Sequence, residues 1–219
     1  MNSRTLTFLL AAVIAVPTLD NMPDLRPVTW EQTTARVMRS LVHLDQPDDK
    51  GMSSTCTGFV INSGRALALT AYHCVAGEMP FTVDGQPSYI VDAKPELDLA
   101  VVVDEAERKP DLPRRRSDVR YGTAVGAVGY GYSLLSPIFK AGTVANPWVN
   151  FVAAGEDDKA DAQKGPWVMT DFPFVAGMSG GPIYDIDGRV VGVVLRTDNL
   201  TGVTRPMDNI QSLTKKYWN

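Results

Sequence analysis

The segment Gly177-Met178-Ser179-Gly180-Gly181-Pro182 places one serine among three glycines, directly before a short apolar run. Glycine accepts backbone dihedral angles that other residues avoid, so such a segment can hold a serine hydroxyl at the tip of a tight turn. The N–H groups of that turn can face a developing oxyanion. We therefore predict that Ser179 is a nucleophile and that the N–H groups of Gly177 and Ser179 are the oxyanion donors. A glycine-rich β-turn with an incidental serine is the alternative explanation of the segment alone.

A serine needs a general base to become a strong nucleophile, and the chain has only two histidines. His73 follows an apolar run and precedes Cys74, which makes it the candidate base, although a histidine in such a place also fits a structural role. His43 stands between two apolar neighbours and is interpreted as an outward residue of a strand.

The third member of such a site is a carboxylate that orients the histidine. Asp98 is the best candidate, because it enters an otherwise apolar stretch, and a buried acid is costly unless it has a partner. Asp92 and Asp104 flank the same region and stay open as alternatives.

Composition favours an all-β globular protein. The 219 residues are 44% hydrophobic with a net charge of −4, which excludes a disordered chain and gives no indication of a nucleic-acid partner. Fifteen prolines and eighteen glycines separate short runs rich in Val, Ile and Thr, as in many short strands joined by turns.

Two series of such runs predict strands. The first series is Val37–Leu44, Thr57–Asn62, Ala66–Thr70, Tyr89–Val91 and Leu99–Val103. The second series is Thr123–Tyr130, Phe139–Val144, Trp148–Val152, Trp167–Thr170, Pro182–Tyr184 and Arg189–Leu195. Asp104–Asp118, with the solvated run Arg114–Arg116, is predicted to connect them over the surface, and Ala154–Gly165 is predicted to be an exposed loop. Apolar residues at helical spacing after Pro206 predict a short closing helix.

The N-terminus has the pattern of an export signal. One positive charge in Met1–Arg4 is followed by the apolar run Leu6–Val16 and then Pro17. The run is too short to span a bilayer, so we expect cleavage and a secreted or periplasmic protein without stable membrane association. An uncleaved anchor or a buried N-terminal strand is the alternative.

The only cysteines, Cys56 and Cys74, are most simply a disulfide in an exported chain. A zinc site is a weak alternative, since the adjacency of His73 and Cys74 fits no usual ligand spacing.

Three segments, Thr70–Cys74, Asp98–Val101 and Gly177–Pro182, resemble the signature segments of chymotrypsin-like serine proteases in the same chain order. The later segments Asp187–Val193 and Thr201–Pro206 are similar to bacterial HtrA-like protease domains. The resemblance covers most of the chain from Val37 to Leu213.

This resemblance implies two packed six-stranded antiparallel β-barrels with a short C-terminal helix. The implied organisation is a signal or hydrophobic segment at 1–20, a linker at 21–27, a barrel with the histidine and aspartate at 28–113, and a barrel with the serine at 114–219. The implied activity is that of a serine endopeptidase acting on proteins or peptides through His73, Asp98 and Ser179 and an acyl-enzyme, with no metal or cofactor.

Substrate preference is expected to depart from that of trypsin. Pro173 stands six residues before Ser179, where trypsin carries the acid that selects basic side chains, so a basic P1 residue is not expected. Leu195, Arg196 and Thr197 are predicted to lie along the substrate edge, where Arg196 could favour an acidic residue.

Two rival functions can be compared with this one. Gly177-x-Ser179-x-Gly181 also fits the nucleophile elbow of α/β-hydrolases, but that fold needs a histidine after the serine and none follows Ser179. A catalytically inactive or latent binding protein on the protease fold is the remaining alternative.

Overall fold

The structure is a computed structural model, and it describes residues 27–47, 53–105, 109–114, 119–150, 166–197 and 200–218. Within these ranges the chain forms thirteen β-strands and two α-helices. The all-β class and the closing helix are therefore confirmed. Several predicted features lie outside the described residues. They are the export segment, nearly all of the predicted linker, the predicted loop 154–165 and two of the three residues of the arginine run.

The N-terminal half is a seven-stranded antiparallel sheet with the order β5-β4-β1-β2-β3-β7-β6. Its strands are β1 Leu41–Pro47, β2 Ser53–Asn62, β3 Leu67–Ala71, β4 Thr82–Val83, β5 Gln86–Pro87, β6 Ile90–Lys94 and β7 Leu99–Val103. The first barrel is thus a seven-stranded sheet in which the described end strands do not pair with each other. Strand β5 has two residues, and Pro87 has no N–H to donate, which suits it to an edge.

The C-terminal half is a closed six-stranded barrel with the order β10-β13-β12-β11-β8-β9, as expected. Its strands are β8 Ala124–Gly129, β9 Ile138–Val149, β10 Trp167–Thr170, β11 Pro182–Tyr184, β12 Val190–Thr197 and β13 Gly202–Pro206. Two predicted runs, Phe139–Val144 and the start of Trp148–Val152, belong to the single long strand β9. Strand β2 contacts β8 and strand β3 contacts β12, so the two halves share an interface.

The expected strand Val37–Leu44 is wrong at its start, because Val37 lies in helix α1, Trp30–Met38. The Thr29 side chain accepts from Gln32 N, and the Gln32 side chain accepts from Thr29 N. This reciprocal capping box satisfies two N–H groups that would otherwise be unpaired at the first turn, and so fixes where the helix begins.

Each helix contacts the half of the molecule that lies farther from it in sequence, and the C-terminal helix contacts its own half as well. Helix α1 contacts the C-terminal barrel, where Thr33 Oγ1 donates to Ile186 O at 2.6 Å. Helix α2, Met207–Thr214, contacts strands β6 and β7 of the N-terminal sheet as well as β12 and β13. Beyond α2, Trp218 Nε1 donates to Leu112 O at 2.8 Å. We call this arrangement the helix exchange.

Neither described helix is long and apolar enough to cross a membrane.

Candidate active site

The pairing of β3 with β7 brings the predicted base and the predicted acid together. Ala71 pairs with Leu99 at the end of this ladder, so His73 and Asp98 lie just beyond the same edge of the sheet. His73 Nδ1 is 2.8 Å from Asp98 Oδ2, and the His73 backbone N donates to Asp98 Oδ1 at 2.9 Å. Both carboxylate oxygens therefore contact one histidine. The His73 side chain is 46% exposed.

A tight turn presents the Asp98 carboxylate. Residues Pro95–Leu97 form one 3₁₀ turn, and Asp98 follows it with a left-handed φ of 56°. Aspartate tolerates this region better than most residues. The carbonyl of Leu97 accepts from Arg205 Nε at 2.9 Å. Arg205 is fully buried on strand β13 with its guanidinium 3.6 Å from the centre of the Trp167 ring, so the C-terminal barrel braces the turn that holds Asp98.

Cys56 and Cys74 form a disulfide between β2 and the turn of the candidate base. One ligand atom each from Cys56, Cys74 and His73 lies within 4.8 Å of the others. Since the two sulfurs are bonded to each other, they are not free thiolates, and this cluster does not have the chemistry of a zinc site.

The segment around Ser179 is a turn that depends on glycine. Gly177 and Gly180 have φ values of 94° and 83°. A Cβ at Gly177 would lie 2.1 Å from Tyr130 O, and one at Gly180 would lie 2.1 Å from Thr57 O. Any side chain at these two positions would therefore have to displace backbone atoms of the neighbouring loops.

Hydrogen bonding along this turn separates its N–H groups into two sets. The N–H groups of Met178, Gly180 and Gly181 donate to the carbonyls of Val175, Val194 and Met178, at 3.0, 2.7 and 2.9 Å. Those of Gly177 and Ser179 have no acceptor among the described residues. The two unpaired groups are the predicted oxyanion donors.

Ser179 lies next to the His73 segment but is not hydrogen-bonded to it. Its carbonyl oxygen accepts from Thr57 N at 2.9 Å and lies 3.7 Å from Cys74 Sγ. Ser179 Oγ has no hydrogen-bond partner among the described residues, and this includes His73 Nε2. Bonds between a nucleophile and its base are often long in the absence of substrate.

An open groove of about 500 Å³ runs beside the candidate base and is lined by Tyr72, His73, Ala76, Pro95, Asp98, Leu195 and Arg196. Two of the four predicted substrate-contacting residues, Leu195 and Arg196, thus lie at the groove. Thr197 Oγ1 instead accepts from Phe174 N at 3.0 Å, which ties β12 to the segment that contains Pro173. Pro173 is partly buried and carries no charge, and its sequence neighbours Phe172 and Phe174 pack against each other with ring centroids 5.6 Å apart.

The second histidine takes no part in this site. His43 lies on β1 as predicted, but its side chain is only 17% exposed, because the ring packs edge-on against Tyr130 with the centroids 4.7 Å apart. Burial, and to a smaller extent the charge of Asp84, raises the pKa of Tyr130 above its ordinary value.

Three residues that support the site, Thr57, Tyr132 and Arg205, have no recognisable pattern in the sequence. Thr57 is fully buried beside Cys56, and its backbone N–H contacts Ser179. Tyr132 N donates to Ala176 O at 2.8 Å. Each acts through a contact between segments far apart in the chain, which a single sequence does not reveal.

A family comparison matches residues 56–193, more than half of the chain, to the trypsin-like peptidase domain. Among curated proteins, the chain is similar to a probable periplasmic serine endoprotease DegP-like of Chlamydia trachomatis, with 31% identity over 143 residues, and to serine protease HTR4 of Rattus norvegicus, with 28% over 176 residues. The matches cover 63% and 75% of this chain but only 27% and 34% of those relatives.

Solved structures share the fold. The Rv3671c protease of M. tuberculosis in its active form is 24% identical with a TM-score of 0.69, over 98% of this chain and 94% of that one. The serine endoprotease from Yersinia pestis is 19% identical with a TM-score of 0.69, over 87% of this chain and 66% of that one. At these identities the likeness shows the fold alone.

Proposed function

Because this chain belongs to the trypsin-like peptidase family, we propose that it is a serine endopeptidase that acts through His73, Asp98 and Ser179. The observation that carries the proposal is the double contact of Asp98 with His73, beside a glycine turn with two unpaired N–H groups. Its relatives are named as serine proteases, but the chain spans about a third of their length. That this chain has the serine protease activity of those longer proteins is therefore proposed.

The contact with Asp98 sets the role of the imidazole. An ionised carboxylate can only accept, so Nδ1 carries a proton and Nε2 is left as the base. In the proposed reaction Ser179 Oγ bonds to the scissile carbonyl carbon while its proton passes to Nε2. The same proton then goes to the leaving amine as the C–N bond breaks. Water then attacks the acyl-enzyme carbonyl carbon while Nε2 takes its proton, and Nε2 returns a proton to Ser179 Oγ as the ester C–O bond breaks and the carboxylic acid leaves.

The unpaired N–H groups of Gly177 and Ser179 would receive the oxyanion of each tetrahedral intermediate. Loss of one such donor typically costs about 10²–10³ in kcat, so their direction is central to the rate.

For substrates, we propose peptides or proteins with a small or apolar P1 residue. The support is the uncharged Pro173 between Phe172 and Phe174, which are 8% and 4% exposed. A panel of peptides that differ only at P1 tests this preference, and efficient cleavage after Lys or Arg would contradict it.

We also propose that the protein works in a secreted or periplasmic compartment after export. A disulfide persists in an oxidising environment, and several relatives are named as periplasmic endoproteases. The signal-like segment at the N-terminus agrees with export.

The test is labelling with a fluorophosphonate followed by mass spectrometry. We expect one adduct, on Ser179, in which an O–P bond forms and fluoride leaves. It should be absent in Ser179→Ala, greatly slowed in His73→Ala, and retained in Ser212→Ala, which removes an exposed serine on α2. A folded wild-type protein that takes no label and cleaves no peptide would instead favour the inactive or latent binding protein.

A further inference from the structure

Thr57 contacts both the nucleophile turn and the loop beside it. It is fully buried, and Oγ1 donates to Gly177 O at 2.7 Å while accepting from Tyr130 N at 2.9 Å. Its backbone N donates to Ser179 O at 2.9 Å. One hydroxyl therefore bridges the turn to the loop that follows β8.

The Gly177 carbonyl belongs to the peptide between the two oxyanion donors. The Gly177 N–H lies in the preceding peptide, whose carbonyl, Ala176 O, is held by Tyr132 N at 2.8 Å. The Ser179 N–H lies in the following peptide, whose carbonyl, Met178 O, is held by Gly181 N at 2.9 Å. Since a trans peptide is planar with its N–H opposite its C=O, each carbonyl contact also fixes a direction for an N–H group.

The middle peptide therefore sets the angle between the two donors. Its N–H end is held by the bond from Met178 N to Val175 O, and its C=O end is held by Thr57 Oγ1. Glycine can rotate between backbone regions at little cost, so Gly177 alone would not keep this peptide in one orientation. A side-chain hydroxyl that can both donate and accept is suited to hold it.

We propose that Thr57 is a positioning residue, whose hydroxyl holds the peptide after Gly177 so that the Gly177 and Ser179 N–H groups converge on one oxyanion. This inference rests on the proposed peptidase function. Thr57 does not touch the reacting atoms and acts through Gly177. Its effect is expected on the transition state rather than on substrate binding.

The test compares Thr57→Ala with Thr57→Ser, because both lack the γ-methyl and differ only in the hydroxyl. Thr57→Ala is expected to lower kcat about 10- to 100-fold with KM changed less than about threefold, and Thr57→Ser to recover most of kcat. A peptide boronate forms a tetrahedral adduct on serine, so its inhibition constant should rise in Thr57→Ala as kcat falls. The inhibition constant of a noncovalent product peptide should stay unchanged.

Thr214→Ala is the control, since Thr214 is also fully buried and its Oγ1 donates to Ile210 O within α2. Equal kcat values for Thr57→Ala and Thr214→Ala, at temperatures where both are folded, would overturn the inference. An inactive wild type would count against the proposed function instead. Crystal structures of the wild type and Thr57→Ala would still test the inference, because an unchanged Gly177 carbonyl direction would refute it.

Discussion

At the scale of single residues, the Asp98 carboxylate has two separate contacts with His73. One oxygen accepts from the backbone N–H, and the other faces the ring. The first contact requires only an acceptor, whereas the second requires an acceptor that makes Nδ1 the protonated nitrogen. An asparagine can supply the first, but its NH₂ group would then face the ring and favour the wrong tautomer.

We therefore expect Asp98→Asn to fold, because asparagine tolerates the positive φ of this position, and to lower kcat by roughly 10⁴-fold. Steady-state kinetics and circular dichroism check the two parts. Asp92→Asn is the matched control, since Asp92 bonds Tyr217 Oη and Lys216 instead of His73. If Asp92→Asn lowered kcat more than Asp98→Asn does, the assignment of Asp98 as the residue that orients His73 would be wrong.

Tyr132 offers a second prediction at this scale. It is a non-glycine residue with a φ of 57°, it is 66% exposed, and its N–H holds Ala176 O. Tyr132→Pro removes the N–H and forces a negative φ, whereas Tyr132→Gly keeps the N–H and accepts the positive φ. We expect kcat of the proline variant to be about 10- to 100-fold below that of the glycine variant. Similar kcat values in the two variants would mean that this contact does not orient the turn.

At the scale of elements, the disulfide ties β2 to the turn of the candidate base across a sequence separation of 18 residues. The chain-entropy model gives about 3 kcal/mol for a loop of this length. In a protein of this size that corresponds to a fall in Tm of roughly 6–12 °C for the double variant Cys56→Ser/Cys74→Ser. Calorimetry without reductant measures it, and a change of less than about 2 °C would show that the bridge adds little to stability.

Asp171 lies one residue beyond the end of β10 and links it to β9, with which β10 pairs through two register shifts. Its carboxylate accepts from Thr143 N and Thr143 Oγ1, both at 2.7 Å. These bonds lower the pKa of Asp171 below its ordinary value of 3.8, the backbone N–H being the largest cause. A lowered folded-state pKa stabilises the fold above the unfolded value, and the contribution is lost as pH falls through the folded value.

Asp171→Asn should accordingly cost about 0.5–1 kcal/mol at neutral pH, a figure reduced for solvent screening because Asp171 is exposed. The difference from wild type should shrink below pH 3.8. Urea unfolding from pH 7 to pH 3 measures it, with Glu78→Gln as an exposed-carboxylate control. A difference that grew on acidification would have the wrong sign.

Local pattern was enough for two strands in which β-branched or aromatic residues predominate. The sequence predicts Leu99–Val103 and Trp167–Thr170 with the bounds that the structure has, because such runs between turn residues have few other uses. It misses α1, although Thr29 and Gln32 form a capping box at readable spacing. The structure places His73 in contact with Asp98, whereas its described residues show no hydrogen bond between His73 and Ser179. The supporting contact of Thr57 with Gly177 joins residues 120 positions apart, and nothing local encodes it.

At the scale of the whole molecule, the helix exchange makes each half depend on the other. Trp218 is 3% exposed, its ring centroid lies 5.8 Å from that of Phe59, and its Nε1 bonds Leu112 O. These residues belong to the same core cluster as the strands of the N-terminal sheet. The apolar face of this sheet is thus covered by the segment that follows β13.

We expect Trp218→Ala to lower the free energy of unfolding by about 3–5 kcal/mol, the usual cost of emptying a buried aromatic site. Trp148→Ala, at a position that is 57% exposed, should change it by less than about 1 kcal/mol. Denaturant unfolding of the two variants makes the comparison. A larger loss in Trp148→Ala would mean that the N-terminal sheet does not rely on this cover.

The helix exchange also affects the order in which the two halves of the molecule can fold during synthesis. A ribosome delivers the His73 half long before residues 207–218, yet those residues supply part of that half's core. The N-terminal sheet can therefore reach its final packing only after the Ser179 half has been made. The proposed catalytic groups would come into register at the last stage of folding, so the proposed peptidase activity would be absent from the nascent chain.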